Sequence, residues 1–350
     1  MQSKPTTITL SNGLHCSGTL YTTHSDASRP EDCRIIAVHG WLDNAGSFEP
    51  LAKHLLNQSS NNTSTHESRV TLLAIDLPGH GRSDPLPPSQ TYQPWDFVLA
   101  LADVADKMAW PEFILLGHSM GAHVCYLYAA CFKDRVRKLI VVESVGHVNR
   151  IQAGGDTAAM REFLDKRRKF DREWVERGLD HGDGDKGVGV TNVDPFKATT
   201  LYASVEDAAR ARMNGATKVS FNAAMALCER GLETVHVGDA VEKYRFSTDK
   251  RLFMRHFFRW DHEGVESILR SIESDILIVM GSASLIWNTE NPVLQQRIKV
   301  LKDRNGGDAA VSGCKTRVEW IPFGTHHLHL EEDTVAAVAD VLKEFVGIDQ

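Results

Sequence analysis

Short apolar runs alternate with helical patterns along most of this chain, and that alternation limits its possible folds more than any other feature. The runs lie at residues 34–38, 70–75, 113–116, 138–142 and 276–280, and a further strand is predicted at residues 317–321. A short run that is apolar at nearly every position is typical of a strand buried on both faces, as in a parallel sheet. Helical patterns at residues 47–56, 97–108, 120–132, 292–302 and 334–345 separate these runs. We therefore predict an α/β fold with a mostly parallel sheet, preceded by a hairpin over residues 6–22 that turns at Asn12-Gly13.

The alternation stops between residues 148 and 271. This stretch has amphipathic patterns and a segment rich in glycine and aspartate at residues 181–189, but it indicates no buried strand. Because the alternation resumes at residue 276, an insertion into one domain explains the chain better than two domains in tandem. We predict a core formed by residues 1–147 and 272–350, with residues 148–271 as a helical cap.

Composition and charge exclude several classes of function. The net charge is −7, and acidic residues flank the one basic stretch at residues 166–169, so nucleic-acid binding is not expected. The sequence has no apolar run long enough for a membrane span, no signal peptide and no C-terminal peroxisomal tripeptide. Its six scattered cysteines are expected to be free thiols. We expect a cytoplasmic protein that acts on a small-molecule substrate, and the sequence leaves its oligomeric state open.

Residues 117–121 read Gly-His-Ser-Met-Gly, which fits the Gly-x-Ser-x-Gly pattern of a nucleophile elbow. A predicted strand precedes this segment and a predicted helix follows it. Such a turn holds the serine hydroxyl above the edge of the sheet, near the positive end of the helix. Ser119 is therefore the predicted nucleophile.

A tetrahedral intermediate needs two backbone N–H donors that converge on its oxyanion. The residue after the nucleophile supplies one donor, which here is Met120. The loop that follows an early strand supplies the other, and residues 39–43 follow the run at 34–38. We predict Trp41 as the second donor, and we interpret Asp43 as a residue of the loop itself.

The proton of Ser119 requires a general base, and histidine has the appropriate pKa. Of sixteen histidines, His326 lies after the last predicted strand and before the last helix, so it should reach the same edge of the sheet as Ser119. His327 and His329 are close competitors. A metal site in this histidine trio is not favoured, because no carboxylate stands at ligand spacing beside it.

Four segments together resemble the α/β-hydrolase superfamily and, in closer detail, its serine hydrolase-like (kraken-type) branch. They are residues 39–44, 76–83, 117–121 and 326–331. The resemblance spans residues 5–147 and 272–347. It implies an α/β-hydrolase fold with an eight-stranded, mostly parallel sheet, helices on both faces and an inserted helical cap. It also implies hydrolysis of an ester-like bond without a cofactor or a metal.

The chain departs from this family in the acid of the catalytic triad. Members often carry an aspartate a few residues after the seventh strand, where this chain has Ser284. A carboxylate is still expected, because it fixes the histidine tautomer and stabilises the imidazolium. We predict Glu143, at the end of the run at 138–142, since some relatives carry their acid at this strand end. Glu290 and a Ser-His dyad remain alternatives.

Together these residues predict a serine hydrolase that cleaves a carboxylic ester or thioester of a small, apolar substrate through an acyl-enzyme on Ser119. The alternative from another class is a non-catalytic binding protein of the same fold, which the serine at position 284 would favour. C–C hydrolase or cofactor-free peroxidase chemistry at the same serine is a third possibility. An epoxide hydrolase or haloalkane dehalogenase is disfavoured, because both need an aspartate at position 119.

Overall fold

A computed structural model describes residues 1–23, 31–56, 69–147, 155–176, 200–215, 217–237, 241–254, 260–304 and 313–348. Its strands are β1 (Gln2–Thr9), β2 (His15–Thr22), β3 (Glu31–Val38), β4 (Arg69–Ile75), β5 (Phe113–His118), β6 (Val136–Val142), β7 (Leu232–Val237), β8 (Val241–Phe246), β9 (Asp275–Gly281) and β10 (Thr316–Ile321). Its helices are α1 (Glu49–Leu56), α2 (Pro94–Lys107), α3 (Met120–Cys131), α4 (Gly155–Glu176), α5 (Val205–Met213), α6 (Phe221–Gly231), α7 (His262–Arg270), α8 (Pro292–Asp303) and α9 (Glu332–Val346). The glycine- and aspartate-rich segment at residues 181–189 lies outside the described residues.

Eight strands form one sheet in the order β1-β2-β4-β3-β5-β6-β9-β10. The pairs β1–β2 and β2–β4 are antiparallel, and all the others are parallel. The hairpin predicted at Asn12-Gly13 is present: Gly13 has a φ of 85°, and the Asn12 side chain accepts a hydrogen bond from the Leu14 N–H (3.1 Å). The predicted eight-stranded, mostly parallel sheet is therefore confirmed.

The two faces of the sheet are buried under different helices. Ile36 and Val38 of β3 belong to the apolar cluster under α2, α3, α7 and α8, whereas Ile35 and Ala37 belong to the cluster under α1 and α9. Successive strand residues point to opposite faces, so burial on both sides requires apolar residues throughout. This double burial explains the continuous apolar runs of the sequence.

The region between β6 and β9 contains α4 to α7 and the antiparallel hairpin β7–β8. Helices α5 and α6 share a small apolar cluster of their own, which includes Ala208 and Ala224. Helix α7 instead buries Val265 and Leu269 in the large cluster beside α3. The sequence did not indicate β7 or β8, because these strands are only partly buried and lack a continuous apolar run. The boundary of the cap at residue 271 stays a prediction.

Two further sequence expectations concern the whole chain. All six cysteines are free, as predicted. Among the helices within the described ranges, none is both long enough and apolar enough to cross a bilayer.

Candidate active site

Ser119 stands between β5 and α3 in a backbone conformation that side-chain-bearing residues rarely adopt, with φ 51° and ψ −112°. Its N–H donates to the carbonyl of Val142 at the end of β6 (2.9 Å), which ties the turn to the neighbouring strand. The flanking glycines are required by close packing. A Cβ at Gly117 would lie 2.5 Å from the Cα of Ala122, and one at Gly121 would lie 2.1 Å from the carbonyl oxygen of Val38. The serine itself is only half-buried.

His326 lies in the loop between β10 and α9, and its Nε2 is 3.0 Å from the Oγ of Ser119. A second hydrogen bond stabilises this loop, because His118 Nε2 donates to the carbonyl oxygen of His326 (2.8 Å). The two competing histidines lie elsewhere. His327 Nε2 contacts Asp43, and His329 is fully buried with no hydrogen-bond partner among the described residues. Of this trio, His326 alone has a hydrogen bond to the predicted nucleophile.

Glu143 follows β6 with a φ of 58° and is buried. Its Oε2 lies 3.1 Å from His326 Nδ1, while its Oε1 accepts the N–H of Gly281 (2.7 Å). The hydroxyl of Ser284 also donates to Oε2 (2.5 Å). The serine that replaces the family's aspartate thus contacts the carboxylate predicted to substitute for it. Glu290 is exposed in the turn before α8 and has no such contact.

The loop after β3 lies against the nucleophile turn because β3 and β5 are neighbours in the sheet. A Cβ at Gly40 would lie 2.8 Å from His118 Nδ1, so only glycine allows this approach. Met120 is the first residue of α3, and the N–H of a first helical residue has no intrahelical acceptor. The indole N–H of Trp41 donates to the carbonyl of Leu252 (3.2 Å). That Trp41 and Met120 donate their backbone N–H groups to an oxyanion stays a prediction.

Asp43 is almost fully buried and joins three parts of the chain. Its Oδ2 accepts from His327 Nε2 (3.0 Å) and lies 3.7 Å from His118 Nδ1, and its Oδ1 accepts from Arg212 Nη2 of α5 (2.9 Å). Burial alone would raise the pKa of Asp43, but the contacts with His327 and Arg212 outweigh burial and hold that pKa well below its usual range. Burial and the neighbouring imidazoles lower the pKa of His118, so this ring stays neutral. The sequence alone indicated only a loop role for Asp43.

One atom each of Asp43, His118 and His327 lie within 4.8 Å of one another, so this cluster could hold a metal ion. The sequence showed no carboxylate beside the histidine trio because Asp43 is 284 residues from His327 in the chain. Arg212 already supplies a cation to Asp43, and its Nη2 lies 3.5 Å from His327 Nε2. The guanidinium therefore balances the charge that would attract a metal, and the arrangement favours an ion-pair network.

The segment at residues 76–83 forms part of the structure beside the site. The buried carboxylate of Asp76 accepts the N–H groups of Ala45 (2.7 Å) and Arg82 (2.9 Å), and it pairs with Arg230 of α6 (2.9 Å). A Cβ at Gly81, where φ is 53°, would lie 2.4 Å from the same carboxyl group. These contacts are structural and include no reacting group.

Comparison with known proteins supports the same fold. A family model described as the α/β hydrolase fold matches residues 34–177. A probable serine hydrolase of Drosophila melanogaster is 38% identical over 135 residues, which are 37% of this chain and 38% of that protein. A serine hydrolase-like protein of Dictyostelium discoideum is 24% identical over 311 residues, 89% of this chain and 74% of that protein.

A solved structure gives the most extensive overlap of these comparisons. A hypothetical protein of Pseudomonas aeruginosa superposes with a TM-score of 0.73 at 26% identity, covering 99% of this chain and 100% of that one. The order of the strands in the sheet and the strand-to-helix turn at Ser119 indicate the same fold as these matches do. The chain has the α/β-hydrolase fold, and in sequence it is similar to serine hydrolase-like proteins.

Proposed function

We propose that the protein hydrolyses a carboxylic ester or a thioester through an acyl-enzyme on Ser119. One observation carries the proposal: a continuous hydrogen-bonded chain runs from Ser119 Oγ through both ring nitrogens of His326 to Glu143, with steps of 3.0 and 3.1 Å. This is the order of nucleophile, base and orienting acid that acyl transfer requires.

In the first half-reaction, the Ser119 oxygen attacks the carbonyl carbon while its proton passes to His326 Nε2. The N–H groups of Trp41 and Met120 stabilise the oxyanion of the tetrahedral intermediate. The carbon–leaving group bond then breaks, and the leaving group takes the proton from His326. In the second half-reaction, His326 removes a proton from water, which attacks the acyl carbon. The acid is released and Ser119 regains its proton.

Aromatic side chains near the loop after β3 support an apolar substrate. Trp41 is 43% exposed and Phe253 is 50% exposed, and their ring centroids are 5.4 Å apart. Trp41 directly follows Gly40 in the loop that supplies the proposed oxyanion donor. Phe257 and Phe258, which follow Phe253 in the sequence, lie outside the described residues. A partly exposed aromatic surface on the loop that carries the proposed oxyanion donor is suited to an acyl chain.

Reaction with a fluorophosphonate probe, followed by hydrolysis of p-nitrophenyl esters of increasing acyl length, tests the proposal. The wild type should be labelled on Ser119 and turn over esters, and Ser119→Ala should do neither while keeping its folded circular dichroism spectrum. The acyl length at which activity peaks would identify the acyl chain that the site prefers. A folded wild type that resists the probe would contradict the proposal and favour a non-catalytic binding protein.

A further inference from the structure

We propose that Asp43 and Arg212 form a positioning pair, through which helix α5 holds the loops that carry the proposed oxyanion donor and base. This inference rests on the proposed function and deepens it. It makes catalysis depend on an arginine that touches none of the reacting atoms. The pair joins residues 169 positions apart in the chain, Arg212 Nη2 lying 2.9 Å from Asp43 Oδ1.

Both histidines that contact the Asp43 carboxylate are next to a proposed reacting residue. His327 directly follows the base His326. His118 directly precedes the nucleophile Ser119 and also donates to the carbonyl of His326 (2.8 Å). Displacement of the Asp43 carboxylate would therefore disturb both the nucleophile turn and the base loop.

Asp43 also shapes its own loop. Its N–H donates to the carbonyl of Gly40 (3.2 Å), which closes a tight turn over Trp41 and Leu42. Leu42 has a φ of 63°, a conformation that the surrounding contacts must hold in place. The proposed donor N–H of Trp41 is inside this turn, so its direction depends on where Asp43 is anchored.

The charge of Asp43 requires Arg212. A buried carboxylate is stable only when it is paired and hydrogen-bonded, and the Asp43 side chain is 2% exposed. Of the groups that contact it within the described residues, the guanidinium alone is permanently charged. Arg212 is itself anchored to α5 and its following turn, since its Nη1 donates to the carbonyl of Thr217 (3.0 Å). Without Arg212, His327 would be the main partner of Asp43, and the geometry of the base loop would change.

A second ion pair provides a matched control. Arg230 of α6 pairs with the buried Asp76 at 2.9 Å, so it too links the inserted region to the core. Neither partner of this pair contacts His326 or His327 within the described residues. Loss of Arg230 should destabilise the fold as much as loss of Arg212 does, without the same effect on turnover.

The experiment compares Arg212→Met, Arg212→Lys and Arg230→Met for kcat, KM and melting temperature, with a p-nitrophenyl ester as substrate. Displacing reacting groups by about 1 Å can reduce rates by about 100-fold, so we expect Arg212→Met to lower kcat by about that factor with KM nearly unchanged. Arg212→Lys keeps the positive charge, so its kcat should be about tenfold higher than that of Arg212→Met. Arg230→Met should keep a kcat within about threefold of the wild type after correction for the folded fraction.

The activity of the wild type distinguishes a failure of the proposed function from a failure of the positioning role alone. If the wild type is inert toward both the ester and a fluorophosphonate, the proposed function fails and the positioning role fails with it. If the wild type is active and the two methionine variants lose kcat equally, only the positioning pair is overturned. The positioning pair is also overturned if the effect of Arg212→Met on kcat disappears once the folded fraction is accounted for.

Discussion

Replacing Glu143 with glutamine tests most directly whether Glu143 is the acid of the proposed triad. The N–H of Gly281 needs an acceptor, and it lies 2.7 Å from Oε1 of Glu143. In Glu143→Gln the amide oxygen will keep that bond, so the amide NH₂ must take the place of Oε2 and face His326 Nδ1. An NH₂ group can only donate, so His326 will accept at Nδ1 and carry its proton on Nε2. In that tautomer Nε2 cannot remove the proton of Ser119.

The size of the expected decrease in kcat follows from this unproductive tautomer of His326. The equivalent change in serine proteases lowers kcat by about 10⁴-fold, and we expect a loss of about 10³- to 10⁴-fold here. At about 1.4 kcal/mol per tenfold, the barrier rises by about 4 to 5.5 kcal/mol. KM and the melting temperature should change little, because glutamine matches glutamate in size and keeps the bond to Gly281.

Steady-state ester hydrolysis is the assay, and Glu290→Gln is the matched control, because Glu290 is exposed and lies outside the hydrogen-bonded chain. Ser284 offers a test by rescue, since its hydroxyl lies 2.5 Å from Glu143 Oε2. Adding Ser284→Asp to Glu143→Gln returns a carboxylate to the family's usual position and should restore kcat by about tenfold or more. A loss below about tenfold in Glu143→Gln would refute the reasoning and leave a Ser-His dyad.

Three further predictions concern stability and reactivity. Burial lowers the pKa of both His80 and His329 to about 3, whereas in the unfolded chain these side chains bind protons near pH 6.5. The free energy of unfolding should therefore decrease as the pH falls from about 6.5 toward 3. The decrease should be about 1.4 kcal/mol per pH unit for each histidine. Urea unfolding at several pH values measures this slope, which His329→Leu should reduce and a flat profile would contradict. Gly121→Ala should destabilise the fold by about 3 kcal/mol or more, because its Cβ would lie 2.1 Å from a backbone carbonyl oxygen; a normal urea midpoint would refute the packing argument. An aromatic disulfide reagent should react quickly with the exposed Cys131 and only after unfolding with Cys125, whose thiol pKa is raised by burial; mass spectrometry of the labelled peptides distinguishes the two.

Most of the sheet could be predicted from the sequence because its central strands are buried on both faces. Runs such as residues 35–38 and 276–280 are apolar throughout for that reason alone, and turn residues bound them. The hairpin β7–β8 could not be found in the same way. Its strands pair antiparallel and are only partly buried, so they carry no continuous apolar run.

Much of the candidate site could also be placed from local sequence. Ser119 and His326 follow strands whose carboxyl ends meet at one edge, so their approach follows from the topology. Glu143 could be named by the same rule, but its contact with Ser284 could not, because the two residues are 141 positions apart. The pairing of Asp43 with Arg212 was missed for the same physical reason. Local sequence patterns carry no information about which distant charges meet.

The position of Glu143 directly after β6 has a consequence for the segment between β9 and α8. In this arrangement the segment contributes only the hydroxyl of Ser284 to the site, and it does not have to position a carboxylate beside the His326 ring. Leu285, directly after Ser284, is 92% exposed and free of packing constraints. Substitutions at Leu285 can therefore accumulate without disturbing the proposed proton transfer. In proteins built on this plan, the segment is available to evolve new selectivity while the reaction itself is conserved.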